Sequence, residues 1–104
     1  MSNLTSTARA RIVLATTPDI YNLSMPLANT EYSQVLSDGT KQLLIRMRDS
    51  AEARISFVVG GTLIKYVTIK ENCVYADINL DLVGVTIYLQ SSAASQVAEI
   101  REWT

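Results

Sequence analysis

The stretch LSDGTKQLLIRMR, residues 36–48, decides the fold. An Asp-Gly pair separates two strand-type runs, and glycine accepts the positive φ that tight turns require. Residues 37–40 are therefore predicted to be a hairpin turn between strands at 32–36 and 41–48. In the return strand, alternation places Leu43, Ile45 and Met47 on one face and Leu44, Arg46 and Arg48 on the other. A period of two belongs to a half-buried strand and not to a helix. The arginine face is either solvated surface or a contact surface.

The same alternation recurs outward from this stretch. Tyr21, Leu23, Met25 and Leu27 share a face, with Asn22 and Ser24 opposite. Pro26 lacks a backbone donor, so this strand is expected at a sheet edge or to end there. Residues 49–52 read as a second turn, and 54–59 as a strand with Ile55, Phe57 and Val59 inward. Gly60-Gly61 is a third hairpin signal before a strand at 63–69. Strands follow at 73–78, 85–90 and 96–103, with Leu80 and Leu82 as plugs in the loop 79–83. A further short strand is expected at 11–15. About eight strands at a spacing of roughly ten residues predict an all-β antiparallel sandwich, jelly-roll-like. The 104 residues suit a single domain, 1–104. Residues 1–8, small and polar, read as a flexible N-terminal arm.

Composition narrows the function. The 48% hydrophobic content is that of a chain that buries a core. Formal net charge is −1, with 9 basic and 10 acidic residues interspersed. Duplex-binding proteins draw affinity from a basic excess, so nucleic acid is not an expected partner. One cysteine, Cys73, permits no intrachain disulfide. Residues 12–15 are too short for a signal-peptide core, and no apolar run approaches the roughly 20 residues of a membrane span. Synthesis in the cytoplasm without membrane insertion is expected.

Chemistry-bearing patterns are sparse. The sequence has no histidine, which removes His-based triads, dyads and metal sites. Gly60-Gly61 lacks the Gly-Lys-Ser/Thr of a phosphate loop. Asp77, Asn79 and Asp81 alternate as in part of a calcium loop, but the glycine and terminal glutamate of that loop are missing. Turn chemistry accounts for these residues. No enzyme activity and no cofactor or metal is expected.

What remains is surface. Arg46 and Arg48 share a face, and Arg54 at the start of the next strand is expected beside them. Arginine is enriched at protein contacts and pairs bidentately with carboxylates. Trp103 reads as a terminal plug or as an interface anchor. Arg46, Arg48, Arg54 and Trp103 are therefore the interface candidates. Tyr66, Tyr75 and Tyr88 are the candidate stacking platforms for a sugar, or else cross-strand packing residues.

Four pieces carry a family resemblance: ANTEYSQ (28–34), GTKQLLIRMRD (39–49), TIYLQSS (86–92) and the closing VAEIREWT (97–104). In this order they resemble small structural proteins of tailed bacteriophages. The resemblance runs from Ile20 onward and brings no catalytic residues with it. It implies a virion accessory role, such as a capsid decoration or cement protein made in the host bacterial cytoplasm. The expected partners are the major capsid protein or another virion protein, and further copies of the chain, as a homotrimer. The alternative is a carbohydrate-binding or host-attachment module of a tail or fibre.

Overall fold

The computed structural model describes residues 16–104. Eight strands follow one another: β1 Pro18–Met25, β2 Tyr32–Val35, β3 Gln42–Met47, β4 Ala53–Ser56, β5 Val67–Ile69, β6 Val74–Asp77, β7 Thr86–Ser91 and β8 Gln96–Trp103. They form two four-stranded sheets with orders β1-β8-β3-β6 and β2-β7-β4-β5. All pairings are antiparallel. The two sheets form a sandwich, and the chain crosses between them at β1–β2, β2–β3, β3–β4, β5–β6, β6–β7 and β7–β8. This is the double Greek key of a jelly roll. The expected strand at 11–15 and the arm at 1–8 lie outside the described residues.

Strand alternation fills the space between the sheets. Met25, Leu43, Ile45, Ile55, Ile87, Leu89 and Ile100 are all at most 2% exposed and form its centre. Each such side chain contributes about 1.5–3 kcal/mol of burial free energy. β1 lies at a sheet edge and stops one residue before Pro26, as the missing donor requires.

The Asp-Gly turn is not a hairpin. β2 and β3 belong to different sheets, so residues 36–41 form a corner. The corner is held by groups that lie elsewhere in the sequence. Gly39 N donates to Leu82 O at 2.7 Å, and Gly84 N to Asp38 Oδ1 at 2.8 Å. Leu36 and Thr40 are buried on either side of it and plug the end of the sandwich. Gly39 does take the positive φ, +83°, that its position in the turn predicts.

The Gly60-Gly61 segment does join a hairpin, since β4 and β5 pair, but its strands are shorter than expected. Phe57 and Val59 are exposed, not inward. Ser56 bends the chain there: its hydroxyl donates to Lys65 O at 2.7 Å and accepts from Val58 N. Residues 57–66 become a flap with a 3-10 turn at Gly61–Leu63.

Candidate functional site

The outer face of the β1-β8-β3-β6 sheet gathers most of the interface candidates. Register places Pro18, Trp103 and Gln42 in one row. Ile20, Arg101, Leu44 and Ala76 form the next, then Asn22, Glu99, Arg46 and Val74. Arg48 follows, its N–H bonded to Val97 O. Glu99 stands between the two predicted arginines. Arg46 Nε donates to its Oε1 at 2.9 Å and Arg48 Nε to its Oε2 at 3.2 Å. Arg48 also donates to Asn22 Oδ1 at 3.1 Å. The hydrogen bonds from Arg46, then from Arg48, hold the Glu99 carboxyl below its ordinary pKa. All three side chains remain open to water, so the cluster is worth little in stability. Ile20 and Val74 lie on this face 63% and 51% exposed, and a shallow depression runs between Ile20, Leu44, Arg46 and Arg101. Trp103 is half-buried at its end.

Arg54 is not with them. β4 lies in the other sheet, so the expected group of three arginines splits. Arg54 points from the far face of the sandwich, 4.4 Å above the Tyr66 ring, and donates to Thr62 O at 3.2 Å. The third arginine on the first face is Arg101, which strict alternation along β8 places with Glu99 and Trp103.

The three tyrosines do not form a platform. Tyr75 pairs with Ile45 and so faces inward, packing on the core. Its hydroxyl donates to Asp77 Oδ2, and burial, then that bond, push the phenol pKa up. Tyr66 precedes β5 and lies under Arg54. Tyr88 is half-buried on the outer face of the second sheet, between Ser33 and Ser56 in register. Asp77 of the DINLD stretch serves Tyr75, and no group of three or more His, Cys, Asp or Glu among the described residues could hold a metal ion.

Two polar clusters escaped the sequence reading. Glu31, before β2, accepts from Gly60 N, Thr62 N and Thr62 Oγ1 at 2.8, 3.1 and 2.6 Å, clamping the flap. Thr62 is buried, and its hydroxyl also donates to Gln90 Oε1 at 2.9 Å. Glu102 is fully buried at the end of the sandwich, bonded to Tyr21, Ser37 and Thr40. Glu102 had a signal: it shares parity with Ala98 and Ile100, an acid on an apolar face. Glu31 had none, since its partners lie far along the chain.

No helix among the described residues is long and apolar enough to cross a membrane. No family model and no curated protein matches the chain. Among solved structures, it is similar to a de novo designed double-stranded β-helix determined by solution NMR. That likeness has a TM-score of 0.52 at 16% identity, over 86% of this chain and 100% of the design. It shows the fold alone, in agreement with the sandwich described above.

Proposed function

We propose that this chain is a non-enzymatic structural protein of a phage virion, a decoration-type jelly roll that attaches through the outer face of the β1-β8-β3-β6 sheet. One observation carries the reading. Arg46, Arg48 and Arg101 stand on the central strands of a single sheet face against one acid, Glu99, with exposed Ile20 and Val74 on the flanking edge strands. Three positive groups and one negative leave the face at +2, on a chain whose formal net charge is −1. A face basic at its centre and apolar at its flanks fits a protein partner that is acidic at its centre and apolar beside it. Trp103, half-buried at the end of the same face, supplies an aromatic anchor. The chain would work as a symmetric assembly, which multiplies identical contacts on a symmetric shell.

The test is co-sedimentation of the purified chain with particles of the phage that encodes it. Binding that is lost on reversing Arg46 and Arg48 supports the reading. The glycan-binding alternative draws no support from the tyrosines, since Tyr75 packs inward on the core and the Tyr66 ring is covered by Arg54.

A further inference from the structure

We infer that the outer face of the second sheet carries a binding site for the carboxylate of an acidic sugar, built on Arg54 and Gln90. The inference goes beyond the attachment reading and uses the opposite face of the sandwich.

Register sets the two residues side by side: Arg54 of β4 pairs with Gln90 of β7. Their neighbours Ile55 and Leu89 are buried between the sheets, so alternation turns Arg54 and Gln90 outward. An outward glutamine is ordinarily wet. Gln90 is only 6% exposed, because Thr62 of the flap lies against it. The Thr62 hydroxyl donates to Gln90 Oε1, and the Thr62 carbonyl accepts from Arg54 Nη1. Glu31 clamps this part of the flap in place. The Gln90 oxygen is thereby occupied. Its Nε2 has no hydrogen-bond partner among the described residues. A buried donor left open calls for an explanation, and the space beside it supplies one.

A pocket of about 80 Å³ is lined there by Gln90, Arg54, Asn29, Glu52 and Ser92. Arg54 is fixed by the Tyr66 ring beneath it and by its bond to Thr62 O. Among the described residues it makes no ion pair, and its guanidinium fork has further N–H groups to give. The inner wall thus offers open donors and a positive charge, the complement of a planar carboxylate. A pocket that buries a whole small molecule measures roughly 300–1,000 Å³, so only a compact head enters this one. The mouth has a different chemistry. Asn29, Glu52 and Ser92 are exposed and mix donors with acceptors. That mixture suits hydroxyls, which both donate and accept. Glu52 only accepts, so it repels a bare anion, and a hydroxyl beside the carboxylate offsets that repulsion. A carboxylate head on a hydroxylated body is an acidic sugar.

The test is a titration of the ¹⁵N-labelled full chain with glucuronate, acetate and glucose, read by NMR at the Gln90 side-chain amide. Glucuronate should shift that signal saturably. Acetate should bind about fivefold or more weakly, and glucose about tenfold or more weakly. Arg54→Gln should weaken glucuronate by about tenfold or more. Asn29 has a φ of +54°, so Asn29→Gly suits the backbone while removing a mouth group. It should weaken glucuronate by about threefold and leave acetate unchanged. The same spectra report whether each variant is folded. No saturable shift at Gln90, or an Arg54→Gln variant that binds glucuronate like the parent, would overturn the site. Glucuronate no tighter than acetate or glucose, or an Asn29→Gly variant without the split, would overturn the acidic sugar as its ligand.

Discussion

Tyr21 and Glu102 meet across neighbouring strands β1 and β8, the phenol hydroxyl donating to Glu102 Oε1 at 2.6 Å. The carboxylate is 0% exposed. Ser37 N donates to it at 3.1 Å and Thr40 Oγ1 at 2.7 Å, with the Ser37 hydroxyl completing the set. A charge this deep persists only when its lone pairs are filled. The buried acid is the peg on which the 36–41 corner hangs.

The first prediction concerns that peg. Desolvation pushes the Glu102 pKa up, but the bonds from Ser37, Tyr21 and Thr40 pull it further down, to a net position below its ordinary 4.5. A carboxyl lowered by folding adds stability that is present above the unfolded pKa and lost as pH falls through the folded one. Urea midpoints should fall as pH drops below about 4.5. Glu102→Gln should cost about 1–3 kcal/mol at neutral pH, because the amide brings donors to a site built of donors. It should also flatten the acid slope. A variant as acid-sensitive as the parent would contradict the role.

A second prediction concerns the flap. A Cβ at Gly61 would stand 2.0 Å from Ser56 Oγ and 2.9 Å from Ser56 Cβ. Neither atom has room to retreat, since Ser56 is buried and its hydroxyl is bonded to Lys65 O. Gly61→Ala should lift the flap, lower stability by about 1–3 kcal/mol and open residues 57–66 to proteolysis. Unchanged protease resistance would show the close approach to be unimportant.

Much of this was legible in the sequence, and the failures share one cause. Alternation in 41–48 and 85–90 found the inward residues Leu43, Ile45, Met47, Ile87 and Leu89, because each of these strands is flanked on both sides. The Asp-Gly pair predicts a turn at Gly39, and a turn is there. The local chemistry of a hairpin and of a sheet-crossing corner is the same, however; only the partners of residues 38 and 39, far along the chain, distinguish them. The same long-range choice of sheet separated Arg54 from Arg46 and Arg48. In the flap, the apolar residues Phe57 and Val59 look like strand interior. A buried serine hydroxyl and a distant carboxylate, Glu31, decide otherwise.

A third prediction separates binding from stability on the arginine face. Replacing Arg46 and Arg48 by alanine removes the bonds that hold the Glu99 carboxyl down. Its NMR titration should move up toward the ordinary glutamate value, while the urea midpoint of unfolding stays where it is in the parent. A large loss of stability would make these arginines part of the fold instead of its surface.

The fourth uses Arg54 as a contrast. Arg54→Ala removes the stacking on Tyr66 and the bond to Thr62 O, at a cost of about 0.5–1 kcal/mol. Because it lies on the other sheet, attachment to particles should not change. Loss of attachment in this variant would move the contact face to the second sheet.

The most direct measurement of the central claim is particle co-sedimentation of the parent chain beside the double variant Arg46→Glu, Arg48→Glu, both checked for folding by circular dichroism. The account predicts saturable binding by the parent and binding weakened about tenfold or more in the variant, since two exposed cations become anions facing an acidic partner. No binding by the folded parent, or equal binding by both, would contradict it.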